Sequence, residues 1–205
     1  LPILRKMAKD LRAELLRTDI TSFQAARLTA LELEVNNITN RAGVAMAGQT
    51  VPDLRKMAEY EAQFAFKALD GAVSVQLAGL NTAPIIASAI NAPIVLVSGK
   101  KIINTNAAGM FDVFASGTSR EVMTAVQAGI AGGKTTPEIT REIMGMVSSR
   151  SKQQADAVVR TMANHVGAVA RSETYKQNAD VLKGEEWTSV LDGRTTFVCM
   201  GYDGN

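Results

Sequence analysis

The stretch Gly132-Gly133-Lys134-Thr135 contains the residue types of a phosphate-binding loop. Such a loop needs a glycine five residues before its Gly-Lys pair and a preceding β-strand, because backbone amides must surround the phosphates. In this chain that position is Ala128, with Gly129 one place away, and the residues before the loop have a helical pattern. We therefore interpret these glycines as the end of one helix and the turn into the next.

His165 and Cys199 are the only histidine and the only cysteine of the chain. No serine, cysteine or carboxylate lies at a spacing that pairs with His165 as a catalytic dyad, so we predict a structural role for it. Cys199 has apolar neighbours in a predicted strand, which is typical of a buried thiol. One cysteine and one histidine exclude a disulfide framework and a self-contained zinc site. The sequence predicts no catalytic residue, cofactor or metal.

Four charged residues near the end of the chain form a third candidate group. Arg171 and Glu173 lie late in a helical pattern, and Asp192 and Arg194 lie in a β-rich segment. They are two pairs of opposite charge without a nucleophile, a base or a metal cluster. We predict a structural network that joins the helix to the segment.

Asp192-Gly193 separates two β-rich runs, residues 186–191 and 194–199, and predicts the turn of a hairpin. Trp187 and Phe197 lie on opposite arms and are expected to share one apolar face. The hairpin follows a long helix whose apolar residues recur every three or four positions. These residues are Ala155, Val158, Val159, Met162, Val166 and Val169.

The composition bounds the fold and the class of function. Hydrophobic residues make up 46% of the 205 residues and aromatic residues only 5%, which favours packed helices over an all-β sandwich. The net charge of +2 is too small to indicate a nucleic-acid-binding protein. Local basic clusters are interpreted as solvated helix faces, with a DNA-facing surface as the alternative. The sequence contains no run of eighteen apolar residues, so it predicts no membrane span.

The first part of the chain predicts three helices. Apolar residues in 4–15 have helical spacing, and residues 28–42 form a heptad-like seam, interpreted as part of an intramolecular bundle, with an intermolecular coiled coil as the alternative. Val51-Pro52-Asp53 is expected to start the third helix, because proline suits a first turn. Its buried side is expected to carry Met57, Tyr60, Phe64, Ala68 and Leu69.

The rest of the chain predicts one small β element followed by helices. Residues 94–97 are a candidate strand, with a turn at 99–101 and a returning strand at 102–104. Ser119 is expected to cap the next helix, and Thr136-Pro137-Glu138 to start another that leads into the long helix. That helix loses its pattern near Lys183-Gly184.

The predicted fold class is mainly α with a small β element (α+β), a helical bundle-like body with a C-terminal β-hairpin. We divide the chain into an N-terminal helical region at 1–70, an irregular region with a small β excursion at 71–118, and a helical region with the hairpin at 119–205. The chain begins with Leu1 rather than Met and stops after an Asp-Gly turn, so we expect a truncated C-terminus.

From about Ser119 onward the residues resemble a known family, the phage head morphogenesis proteins. These are minor capsid proteins similar to protein F of phage Mu and its relatives in tailed phages. The family pattern is a helix with an Ala-Arg-Thr-Glu-like run, a Trp-x-x-x-x-Asp-x-Arg-Thr hairpin, then Cys or His and an Asp-Gly turn. The residues that carry it here are Arg171, Glu173, Trp187, Asp192, Gly193, Arg194, Thr195, Cys199, Asp203 and Gly204, with Asn178-Ala179 between the helix and the hairpin.

Two positions depart from the family pattern. Many members have a Cys-x-x-Cys pair at the end of the hairpin, but here the first position is Thr196, so we expect no zinc there. Ser172 replaces the commoner threonine and keeps the hydroxyl group.

The resemblance implies a structural virion protein of the phage head, made in the host cytoplasm and associated with the portal. It would act in head assembly, DNA packaging or genome delivery. The implied partners are the portal protein, the major capsid protein or both, with packaged double-stranded DNA and further copies of the chain as additional candidates. Two alternatives stay open: an internal ejection protein released with the DNA, and an enzyme domain (nuclease, protease or transferase) with an unrecognised active site.

Overall fold

The computed structural model describes residues 2–18, 20, 25–98, 100–182 and 184. In this part of the chain helices dominate, with one two-stranded antiparallel sheet between the third and fourth helix, which confirms the predicted fold class. The elements in chain order are α1 Pro2–Arg17, α2 Ala25–Ala72, α3 Thr82–Asn91, β1 Ile94–Ser98, β2 Lys101–Thr105, α4 Met110–Ala131 and α5 Thr136–Lys176. The predicted C-terminal hairpin lies outside the described residues.

The core lies where α2, α4 and α5 pack against one another, with α1 and α3 covering their flanks. The predicted seam of α2 is buried within the chain at Leu31, Val35 and Ile38, as expected for an intramolecular bundle. α1 buries Leu4, Met7, Leu11 and Leu15 against this core because three- and four-residue spacing places them on one face.

The prediction of a separate helix at Val51-Pro52-Asp53 is wrong, because α2 runs without a break for 48 residues with Pro52 inside it. Proline lacks the N–H that would bond to the carbonyl of Gly48 and costs a helix about 3 kcal/mol. Packing of the apolar residues on both sides of Pro52, such as Met46 and Leu54, offsets this cost. Tertiary packing therefore overrides the local helix-start signal.

The predicted buried side of this region is wrong at Tyr60, Phe64 and Ala68, whereas Leu69 is buried as expected. Tyr60 and Phe64 are exposed and stack on each other outside the core, with ring centroids 6.4 Å apart. The buried face instead carries the small side chains of Ala58, Ala62 and Ala65. Small residues let helix backbones approach closely, and rings of this size have no room in such an interface.

The small β element in the middle of the chain is confirmed. β1 and β2 pair with Ile94 opposite Thr105 and Val97 opposite Ile102. Because side chains alternate along a strand, Ile94 is buried while Val97 and Ile102 point outward and are exposed. α3 precedes this hairpin, so region 71–118 contains more helix than we predicted.

The start of α4 and the continuity of α5 differ from the prediction. α4 begins at Met110, so Ser119 lies inside it and is not an N-cap; the buried Ser119 hydroxyl donates to the Oδ1 atom of Asn36 on α2. The predicted start at Thr136 is confirmed, but α5 continues for 41 residues to Lys176 as one helix. It spans roughly 60 Å at 1.5 Å per residue.

Candidate functional site

The C-terminal end of α5 contains those family-pattern residues that the structure describes. Arg171 and Glu173 lie in its last two turns, and Arg171 contacts α2. The 73–81 linker between α2 and α3 contacts the residues that follow α5. The other predicted site residues lie outside the described residues. These are Trp187, Asp192, Gly193, Arg194, Thr195, Cys199, Asp203 and Gly204.

Arg171 joins α5 to α2 through an ion pair. Its Nη1 atom donates to the Oε2 atom of Glu61 at 2.6 Å, across 110 positions of the chain. Gly167, one turn earlier, is buried where the two helices meet, with Met57 of α2 close to its open side. The guanidinium is partly exposed, so the pair contributes about 0.5–1 kcal/mol and acts mainly by fixing the orientation of the two helices.

Glu173 has a local partner. It accepts a hydrogen bond from the Nζ atom of Lys176 at 2.7 Å, one turn further along α5. Arg171 and Glu173 thus both have partners within the helical body. The network that we predict between them and Asp192 and Arg194 stays a prediction. Asp192 and Arg194 lie outside the described residues.

Asn178 forms a second junction, which sequence reasoning did not single out as a site. Its side chain is buried, and its Oδ1 atom accepts a hydrogen bond from the backbone N–H of Ala78 at 3.1 Å. Its Nδ2 atom donates to the carbonyl of Thr174 at 3.1 Å. Asn178 thus satisfies a backbone amide of the linker and a carbonyl that the end of α5 leaves open.

Gln177 extends this junction at the surface. Its Oε1 atom accepts from the N–H of Asn81 at 3.2 Å, and its Nε2 atom donates to the carbonyl of Asn81 at 2.9 Å. The side-chain amide therefore pairs with one residue of the linker as a neighbouring strand would. No local signal could have revealed this contact, since the partners lie 96 positions apart.

The glycine-lysine stretch is the turn between α4 and α5, as we predicted. Gly133 has φ +68°, a left-handed conformation that glycine adopts without strain. Lys134 does not face an open loop, because its Nζ atom contacts the Oε1 atom of Glu142 at 2.6 Å. The element before the turn is helix α4 rather than a strand, which argues against a phosphate-binding loop.

Glu138 fixes the first turn of α5. Its Oε2 atom accepts from the backbone N–H of Thr135 at 2.8 Å and from the Thr135 hydroxyl at 2.7 Å. These hydrogen bonds lower the pKa of the Glu138 carboxyl below its ordinary value of 4.5, with Arg141 and Lys134 adding to the effect. The capping residue is thus Thr135, one position before the predicted start signal at Thr136-Pro137-Glu138.

His165 lies on α5 and is partly buried. Its Nε2 atom is shielded from solvent and has no hydrogen-bond partner among the described residues. No described Ser, Cys or carboxylate pairs with it, and no group of three or more metal-ligating side chains occurs in the described ranges.

The described helices also include none that is long and apolar enough to cross a membrane.

The geometry at the end of α5 is suited to holding two helices and a linker in fixed positions. The polar groups there form hydrogen-bonded pairs that orient backbone and side chains. Among the described residues, none of these pairs places a nucleophile next to a base.

A family-model comparison, a comparison with curated proteins and a comparison with solved structures each found no match for this chain.

Proposed function

We propose that this chain is a structural minor head protein of a tailed phage, which acts in head assembly, DNA packaging or genome delivery near the portal. The observation that carries the proposal is the ordered residue pattern from Arg171 through Trp187, the Asp192-Gly193 turn and Cys199 to Asp203-Gly204. That pattern combines rare residue types in the order typical of phage head morphogenesis proteins.

The described structure supports this proposal through the role of Arg171 and Asn178, which belong to the matching stretch. Arg171 holds α5 against α2, and Asn178 holds the residues after α5 against the linker. The end of α5, which precedes the rest of the pattern in the sequence, is therefore fixed against α2 and the linker. A fixed helix end of this kind suits a structural protein of an assembly.

Long helices with solvent-facing surfaces suit an assembly role. α2 and α5 contain 48 and 41 residues, and each offers an extended outer surface. We propose the portal protein, the major capsid protein or both as partners, with packaged double-stranded DNA and other copies of the chain as further candidates. The proposed location is the phage head, after synthesis in the host cytoplasm.

The proposal is tested on purified particles of the phage that encodes the chain. Mass spectrometry of procapsids and mature heads should detect this chain at a low copy number relative to the major capsid protein. Chemical cross-linking of the same particles should join it to portal or capsid peptides. If procapsids and mature heads both lack the chain, the proposal is wrong.

The same particles distinguish a structural head protein from an ejection protein. Heads emptied of DNA in vitro should retain the chain in the amount found in full heads, because a structural component stays with the shell. Loss of the chain together with the DNA would instead support the ejection alternative and contradict our proposal.

A further inference from the structure

Three adjoining cavities form one continuous groove between α1 and the first half of α5. Their volumes are about 360, 470 and 310 Å³. The first two share Ala8 and Ser148, and the last two share Arg12 and Met144, so the three cavities follow one another along the same pair of helices. We call it the α1–α5 groove. From Leu4 to Leu16 it follows α1 for roughly 18 Å, at 1.5 Å per residue.

Every charged residue that lines the α1–α5 groove is basic. Three of them lie on α1 at spacings of four and three residues, which place them on one face, and two lie on α5. They are Arg5, Lys9, Arg12, Arg141 and Lys152. The whole chain is nearly balanced, with 22 basic and 20 acidic residues. The uniformly basic lining of this groove is therefore a local feature of the surface.

These five basic residues form no ion pair with any described carboxylate, which sets them apart from several other basic residues of the described helices. Lys6 pairs with Asp10 on α1, and Lys134 pairs with Glu142 on α5, at 2.9 and 2.6 Å. Like charges along one groove repel each other, so a ligand of opposite charge gains energy by occupying it.

The floor of the groove is mainly apolar, with the buried hydroxyl residues Thr140 and Ser151 also in its lining, and it has room for side chains. Leu4 and Val147 belong to the core at its base, and Met144 and Ala8 pack on that core. Gly145 contributes no side chain, and a methyl group added there would meet no atom within 4 Å. The groove therefore combines an apolar floor with a basic rim.

We infer that the α1–α5 groove is a docking site for an acidic amphipathic helix of a partner protein. An amphipathic helix places apolar anchors in such a groove at positions i, i+3, i+4 and i+7, and its acidic residues then meet the basic rim. The floor favours this occupant over a DNA duplex, whose phosphates would use the rim and leave the apolar floor uncovered. This inference does not depend on the proposed function.

The test uses the purified full chain and a synthetic 16-residue peptide, with Leu at the helical anchor positions and Glu at most others. Fluorescence anisotropy should show saturable binding that weakens as salt increases, since exposed charges are screened. A peptide of the same composition in scrambled order should bind at least about tenfold more weakly, because its leucines no longer share a face. Equal affinity for the scrambled peptide would contradict a groove that recognises a helix.

Two variants locate the binding. Arg12→Glu/Arg141→Glu reverses the rim charge, and Ser148→Trp fills the groove without changing charge; each should weaken binding at least about tenfold. Lys67→Glu, on the exposed surface of α2, should leave the affinity unchanged. Circular dichroism and melting temperature establish that each variant is folded.

A 20-base-pair DNA duplex serves as the competing ligand. If the duplex binds more tightly than the peptide and Ser148→Trp does not weaken it, the site is a DNA-binding rim and our inference is wrong. If Ser148→Trp abolishes peptide binding while Lys67→Glu does not, the groove is the docking site.

Discussion

Gly43 lies where α2 contacts α4, and the space beside it is too small for a side chain. A Cβ atom at this position would lie 2.9 Å from the carbonyl oxygen of Phe111 and 3.2 Å from the Cβ atom of Ala115. The backbone of α4 would have to move, at a typical cost of about 1–3 kcal/mol. Gly43→Ala also gains up to about 1 kcal/mol in helix propensity, which offsets only part of this cost. We therefore expect Gly43→Ala to lower the free energy of unfolding, as measured by urea denaturation.

Gly48→Ala is the matched control on the same helix. No atom lies within 4 Å of a Cβ atom built on Gly48, so only the helix propensity changes. This variant should raise the free energy of unfolding by about 0.5–1 kcal/mol. A loss of stability in both variants would show that α2 needs its glycines for another reason than the contact with α4.

Glu138 makes the stability of α5 depend on pH. Hydrogen bonds from Thr135 hold the pKa of the Glu138 carboxyl below its ordinary value of 4.5, so the folded state favours the ionised form. Its contribution is complete above pH 4.5 and is lost as the pH falls through the lower folded-state pKa. The stability difference between wild type and Glu138→Gln should thus be larger at pH 7 than at pH 2.5, measured by urea denaturation.

Glu142→Gln is the control for this pH dependence. Glu142 is exposed, pairs with Lys134 and does not bond to the backbone at the start of α5. Its substitution should have little effect on the pH dependence, because exposed ion pairs contribute little to stability. A difference for Glu138→Gln that is constant from pH 7 to pH 2.5 would contradict the role assigned to the ionised carboxylate.

At the scale of elements, Pro52 is a locally unfavourable residue that α2 tolerates. Its ring is exposed, and its missing N–H leaves the carbonyl of Gly48 without the usual helical donor. Pro52→Ala should therefore raise the free energy of unfolding by about 1–3 kcal/mol. Pro137→Ala is the control, because proline in the first turn of α5 replaces an N–H that has no helical partner. Equal gains from both substitutions would contradict this explanation.

Element types could be predicted from local patterns, whereas their lengths could not. The periodicity of α1, the β-branched run of β1 and the Thr-Pro-Glu start of α5 each predicted an element that the structure contains. The break expected at Pro52 and the cap expected at Ser119 failed, because packing with a distant helix outweighed the local signal. Ser119 finds its partner, Asn36, 83 positions away.

At the scale of the whole molecule, the candidate surfaces depend on contacts that sequence spacing does not show. The α1–α5 groove brings together basic residues from the first 12 positions and from positions 141–152. Their spacing on α1 was visible, but the facing residues of α5 were not. The same holds for Arg171 and Glu61, whose pairing requires α2 and α5 to be packed side by side.

The Asn178 junction gives a prediction about the whole fold, since it connects the end of α5 to the linker before α3. Asn178→Ala removes the acceptor of the Ala78 N–H and the donor to the Thr174 carbonyl, which should cost about 1–2 kcal/mol. Hydrogen exchange followed by mass spectrometry should show faster exchange in linker residues 73–81, by roughly tenfold per 1.4 kcal/mol.

Gln177→Ala, at the neighbouring position, separates this effect from a general loosening of the helix end. Its hydrogen bonds to Asn81 lie at the surface, where water replaces them at little cost, so linker exchange should increase far less than in Asn178→Ala. Exchange within α4 should stay unchanged in both variants. If Asn178→Ala accelerated exchange equally in α4 and in the linker, the junction would stabilise the entire helical body rather than the linker alone.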